Sequence, residues 1–248
     1  MSLRYLDLES LETLEKLEIV NTKSFSRLFP NVSINDIECE SISNELCACV
    51  LKDKSVLIGK NGEYKTFTFV NKPIAVSCGL KHCCILLENC DLYVYGEGNN
   101  GQLGLGGLKS STDFFNKVMS DIISVSCGDN HTICVDIKGR VWGWGQSSSF
   151  QLGNRFIMNS RPLQIDTKFV AYKVFASGNT SFIVDVDRNA YILGSNFSKK
   201  TGSTSGLSNI LTKVTPILLN QPIKNIIVNS RHTLFVTTNE EYIETFKL

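Results

Sequence analysis

The chain has 248 residues, 42% hydrophobic and 20% charged, which is enough to bury one large core or two small ones and too apolar for a disordered chain. Lys and Arg number 25 against 24 Asp and Glu, a net of +1, and this excludes a strongly basic nucleic-acid coat. The 9 cysteines are odd in number and too few for a disulfide scaffold, so they read as free thiols of a reducing compartment.

The first ten residues contain no basic stretch followed by an apolar one, so no secretory signal is expected. No apolar run approaches the ~18–20 residues that cross a bilayer. The expected setting is intracellular, cytoplasm or nucleus, without membrane contact. Residues 3–19 carry Leu3, Leu6, Leu8, Leu11, Leu14 and Leu17 among Glu9, Glu12, Glu15 and Glu18. That spacing is nearer a helical than a strand period. It predicts a short helix or strand packed on or closing the remainder, with a partner-binding helix as the alternative. Pro30 and the polar stretch 21–35 mark a join. The chain thus divides into an N-terminal segment, 1–35, and a repeat region, 36–248.

The 3 histidines, His82, His131 and His232, stand in register, the second gap being about twice the first. Aligning on them gives Val76-Ser77-Cys78-Gly79-Leu80-Lys81-His82 and Val125-Ser126-Cys127-Gly128-Asp129-Asn130-His131. A third copy, Phe175 to Ser181, places Gly178 at the glycine and Ser181 at the histidine. A fourth runs from Ile227 to His232 with Ser230 for glycine, and a weaker fifth, Cys39 to Leu46, has Ser43 there. After each anchor comes a hairpin pattern. In the His131 unit it is Thr132–Asp136, a turn at Ile137–Arg140, Val141–Gly145, and a closing Phe150-Gln151-Leu152-Gly153. The His82 unit closes on Gly101-Gln102-Leu103-Gly104. Short β-branched and aromatic runs cut by Gly, Asn and Asp turns, at a period of about 50, predict a propeller or a β-solenoid. The anchor glycines are expected to supply a positive φ or a close backbone approach.

The Cys-Gly-x-x-His anchor, hairpin and aromatic-Gly-x-x-x-x-Gly-Gln-Leu-Gly pattern is similar to the regulator of chromosome condensation repeat. The resemblance runs over about residues 36–246, strongest at 76–104 and 125–153. It implies an all-β fold, a β-propeller of four-stranded blades, usually seven in that family. About five units are recognisable here, whereas seven would need roughly 350 residues. A smaller ring, an open arc and a shortened version all fit. The resemblance also implies contact with protein partners. The family's founding member exchanges guanine nucleotide on the small GTPase Ran and binds chromatin, and others serve as adaptors in chromatin or transfer-RNA modification complexes.

Several motifs invite chemistry. Gly96-Glu97-Gly98-Asn99-Asn100-Gly101 matches a dinucleotide fingerprint, but Gln-Leu-Gly-Leu-Gly-Gly follows, a poor helix start, and an inter-strand loop is expected. Cys78, His82, Cys83 and Cys84 suggest a metal, yet Cys83 and Cys84 should point to opposite faces of a strand. Asp129 and Asp136 near His131 are common turn carboxylates. Register makes Gly79, His82, Gly128, His131, Gly178 and His232 structural positions, so no catalytic, metal or cofactor site is expected. Phe114, Phe115, Phe150 and Phe156 lie in or beside presumed loops, with Arg155 and Arg161 close by; these are the partner-binding candidates. The expected function is a non-catalytic interaction module or adaptor. Nucleotide exchange on a small GTPase, or a regulatory subunit of a modification complex, is the alternative. Direct nucleic-acid binding is disfavoured by the charge.

Overall fold

The computed structural model describes residues 29, 32–43, 45–60, 63–107, 111–153, 157–195, 207–213, 222–228, 233–239 and 242–245, with the backbone path alone for 34, 207–213, 228, 234 and 242–245. Within them the chain is organised as successive antiparallel sheets. The first holds β1 (Ile37–Ile42), β2 (Cys47–Leu51), β3 (Ser55–Lys60) and β4 (Glu63–Thr68). The second holds β5 (Pro73–Cys78), β6 (His82–Leu87), β7 (Leu92–Gly96) and β8 (Thr112–Met119). The third is β9 (Ile122–Cys127), β10 (His131–Asp136), β11 (Val141–Gln146) and β12 (Met158–Ile165). The fourth is β13 (Ala171–Ser177), β14 (Thr180–Asp185), β15 (Ala190–Ser195) and β16 (Leu207–Lys213). The fifth comprises β17 (Ile223–Val228), β18 (Thr233–Thr237) and β19 (Tyr242–Thr245). Strand order follows chain order in every sheet, as expected for meanders joined by short turns.

Each sheet packs on the next through its first strand: β1 on β5, β5 on β9, β9 on β13, and β13 on β17. These are the blades of a β-propeller. Among the described residues packing runs from the first sheet to the fifth without a closed ring. The second strand of a blade is buried on both faces, which explains the apolar run at its centre. Alternation sends Cys83, Ile85 and Leu87 into the seam with the first sheet. Cys84 and Leu86 face the seam with the third, where they meet Ile122, Cys134 and Trp144. Likewise Ile133 and Val135 pack toward Val174 and Ile183 of the fourth sheet. A blade alone would leave one of these faces wet, so the sheets stabilise one another as stacked repeats.

The pairing registers correct one alignment. His82 opposes Gly96 and His131 opposes Gly145, but the residue opposite Gly194 is Thr180. Thr180 therefore occupies the histidine position, and Ser181 corresponds to Thr132. Gly178 is shifted too: the equivalents are Leu80, Asp129 and Gly178, linked by Leu80 N–H to the Asp129 carbonyl (3.1 Å) and Asp129 N–H to the Gly178 carbonyl (2.9 Å). Ser177 takes the place of Gly79 and Gly128. The Gly-Asn pair of that turn had drawn the sequence alignment one residue out of step. Gly178 has a φ of 58°, whereas Gly128 serves close approach: a Cβ there would lie 2.1 Å from His131 Cε1 and 2.7 Å from the Gly178 carbonyl.

Phe29 is fully buried on the far side of the first sheet, with Cys47, Cys49 and Leu57. Gly59 admits its ring, since a Cβ there would lie 2.8 Å from Phe29 Cζ. The Leu/Glu-rich stretch 3–19 lies outside the described residues.

Candidate partner-binding surface

The recurring polar residues are engaged within the seams. The hydroxyls of Ser41, Ser77 and Ser126 accept the backbone N–H groups of Cys78, Cys127 and Ala176 in the next sheet, at 2.9, 2.9 and 2.8 Å. His82 Nε2 lies 3.0 Å from Thr132 Oγ1 of the third sheet, and His131 Nε2 lies 2.8 Å from Ser181 Oγ of the fourth. Each hydroxyl has one hydrogen and directs it to a loop carbonyl: Thr132 to Gln102 (3.0 Å) and Ser181 to Gln151 (2.7 Å). The imidazole Nε2–H must then be the donor. The His131–Ser181 pair thus has the wrong proton direction for a nucleophile and its base, and both residues are fully buried.

The Gly-Gln-Leu-Gly segments take their meaning from the same relay. Gln102 Oε1 accepts from Asn100 N–H, and Gln151 Oε1 from Ser149 N–H, closing each turn (2.8 and 2.9 Å). Leu103 and Leu152 enter the seam cores. Two of the fingerprint glycines, Gly96 and Gly101, serve close backbone approach. Gly96 ends β7 with a φ of 110°, and a Cβ on Gly101 would lie 2.6 Å from the Asn159 carbonyl of the third sheet. Turns rather than a helix follow, through Gly107.

Most of the buried thiols are held neutral, whereas at Cys127 the contacts with Cys84 and His82 outweigh burial and lower the thiol. Burial pushes Cys47 to about 11 and Cys49 to about 12, and raises Cys83, Cys84 and Cys134 well above the usual thiol range. Cys83 and Cys84 do face opposite seams. Among the described residues no group of three His, Cys, Asp or Glu is gathered as a metal would require.

Asp136 is also structural. Its Oδ1 accepts from the backbone of Lys138 and Arg140 (2.9 and 3.0 Å). Its Oδ2 accepts from Arg140 Nε and Trp142 Nε1 (2.6 and 3.1 Å). Burial alone would raise this carboxyl. The hydrogen bonds from Trp142, Arg140 and Lys138 outweigh burial and hold it below the ordinary range.

The sequence candidates are not brought together. Phe114 and Phe115 lie on strand β8, not on a loop, and so face opposite ways. Phe114 is 64% exposed. Phe115 packs against Phe67, Phe69 and Tyr95 at centroid distances of 5.1, 5.2 and 5.3 Å. Phe67, Phe69 and Phe115, with Tyr93, Leu87 and the 99%-exposed Val70, line an open cleft of about 340 Å³ between the first and second sheets. Phe67, Phe69, Tyr93 and Tyr95 were missed in the sequence; only strand pairing shows that two blades pool them. Phe150 belongs to a different seam, and its φ of 62° is left-handed at the position where the second sheet has Gly101. Arg161 on β12 covers Gly106 of the preceding blade, where a Cβ would lie 2.8 Å from its guanidinium. The loop itself is held by the bond from Gly106 N–H to the Ser160 carbonyl (2.8 Å). Arg155, Phe156 and His232 lie outside the described residues.

A second cavity, about 490 Å³, opens between the same two blades, and most of the charged groups that line it are paired. Lys60 meets Glu97 at 3.0 Å, Lys81 meets Glu97 and Glu45 at 3.6 and 3.7 Å, and Lys65 meets Asp113 at 3.2 Å.

Comparison with known proteins identifies the repeats. Residues 91–135 match the regulator of chromosome condensation (RCC1) repeat, and a second model of that repeat matches 74–102 and 122–151. The chain is an RCC1-like repeat protein. Over 156 residues, 60% of its length, it is 28% identical to the human probable E3 ubiquitin-protein ligase HERC6, of which the match covers 15%. Human WBSCR16 shares the RCC1-like fold with a TM-score of 0.74 at 16% identity, over 84% of this chain and 61% of that one. Prp20p of Saccharomyces cerevisiae, described with binding properties to Gsp1p and histones, gives 0.66 at 15% identity, over 84% and 57%. The chain therefore spans a small part of HERC6 and under two thirds of each solved structure. No helix among its described residues is long and apolar enough to cross a membrane.

Proposed function

We propose that this RCC1-like chain is a non-catalytic, intracellular protein-interaction module, acting as an adaptor. The observation that carries the reading is a division of labour. His82, His131 and the seam serines hold blades together, and the buried Asp136 and Asp185 fasten hairpin turns within their own blades. Aromatic surface remains open at the cleft beside Phe115 and at Phe114. An accessible apolar cluster of this kind is the usual anchor of a protein interface. Phe150 supports the reading separately, because a bulky residue held at a positive φ where its repeat mate is glycine points to a constraint other than folding.

Affinity purification of the full tagged chain with quantitative mass spectrometry tests this. A partner recovered in near-equal amount and reduced by Phe114→Ser supports it, and recovery no higher than an untagged control overturns it. Regulation of a small GTPase is the second reading, favoured by the shared fold with Prp20p, whose description names Gsp1p. Nucleotide release from a panel of small GTPases separates the two: acceleration supports regulation, and the intrinsic rate throughout rejects exchange.

A further inference from the structure

The first strand of every blade is broken at the same place. In each sheet the register slips across one residue near the start of the strand: Glu38, Ile74, Ile123, Tyr172 and Lys224. A bulge re-aims one side chain out of the sheet. Here it follows the buried residues Pro73, Ile122, Ala171 and Ile223 and turns the next one into solvent. Ile74, Ile123 and Tyr172 are 50%, 44% and 40% exposed. A fold that needed only packing would tolerate polar residues at these sites, and the end blades have them in Glu38 and Lys224.

More apolar side chains gather at the same end of the sheets. The hairpin between the second and third strands bonds to the entry of its own blade, as in Ile137 N–H to the Asp121 carbonyl (2.8 Å) and Val186 N–H to the Val170 carbonyl (3.1 Å). It bonds also to the next blade, as in Ala171 N–H to the Gly139 carbonyl (2.9 Å). This backbone collar places the exposed Ile137, Val170 and Val186 beside the bulges of the third and fourth sheets. Arg188 lies over the Tyr172 ring at 4.0 Å, and Arg140 over Trp142 at 5.3 Å. Neither Lys138 nor Arg188 has an ion-pair partner among the described residues. The cationic excess is small, because Asp121 and Asp187 are exposed on this same end.

We propose that the bulge-bearing end of the third and fourth blades is a docking surface for an extended, aliphatic-rich peptide segment of a partner protein carrying one or two carboxylates. The proposal rests on the interaction-module reading and adds a surface separate from the aromatic cleft. Aliphatic side chains of the segment pack between Ile123, Ile137, Tyr172 and Val186. A carboxylate meets Arg188 or Lys138. An anionic bilayer fits less well, since it would bring lipid phosphates against Asp121 and Asp187 with little compensating positive charge.

The test uses the full chain and a random peptide library displayed on phage. Enriched peptides are expected to combine aliphatic residues with Asp or Glu. Fluorescence polarisation of one such peptide should weaken at least about tenfold in Ile123→Ser/Tyr172→Ala and in Arg188→Glu, and not in Phe114→Ser. Unchanged melting temperatures establish that the variants are folded. No enrichment, peptides without aliphatic residues, or equal affinity in the variants overturns the proposal. So does salt-sensitive flotation with phosphatidylserine vesicles that those variants abolish. A cellular partner lost with Phe114→Ser but retained with Ile123→Ser/Tyr172→Ala would overturn this surface and leave the interaction reading standing.

Discussion

Asp136 ties a hairpin turn to its own blade through four hydrogen bonds. Its folded pKa is depressed, so the stability it contributes is present above its unfolded value of about 3.9 and is lost as pH falls through the folded value. Asp136→Asn should therefore destabilise by about 1–3 kcal/mol at neutral pH. The difference from the natural chain should shrink below about pH 4, as read by urea unfolding across pH. Phe150 makes the opposite kind of case. Its left-handed backbone costs roughly 1–2 kcal/mol relative to glycine. Phe150→Gly should leave the melting temperature unchanged or raised while weakening partner recovery. A fall in both would assign the ring to packing alone. His131→Ala removes the donor to Ser181 across a seam and should cost about 1–3 kcal/mol. These roles differ in legibility. The shared register exposed His82 and His131 as scaffold in the sequence, because recurrence argues against a unique site. Phe150's strain could not be read, since it lies in a φ angle and not in a residue type.

Strand β8 shows what an element adds. Phe114-Phe115 read as one apolar pair in or beside a loop, but strand alternation divides it. Phe115→Ala should cost about 2 kcal/mol through its ring contacts, and Phe114→Ser close to nothing, by thermal or denaturant unfolding. Treating the pair as one binding epitope would confuse a fold defect with a lost contact. The outer strands were the least legible elements. Second strands such as His82–Leu87 are apolar beyond the leading histidine and declare themselves. Thr112–Met119 mixes exposed and half-buried residues, and its partner is fixed by pairing with β7 rather than by its own composition. The bulges were invisible for the same reason: Ile74 and Ile123 read as ordinary strand residues until the register slip shows them turned outward.

At the scale of the molecule, the five described sheets are stacked by a repeated set of seam contacts, and the period of about 50 residues carried that architecture in the sequence. What the period could not give was which surfaces remain open, because openness depends on blades meeting one another. Pooling of Phe67 and Phe69 with Tyr93, Tyr95 and Phe115 needs two neighbouring sheets. The central claim is that the seams hold the fold and the outward apolar groups hold a partner. Hydrogen–deuterium exchange of the full chain, alone and with the partner recovered by affinity purification, tests it most directly. Added protection should fall on residues 67–71 and 112–115 at the cleft, with the seam strands 82–87 and 131–136 already slow to exchange in both states. Protection absent from the cleft, or confined to the paired charges around Lys60, Lys81 and Glu97, would contradict it.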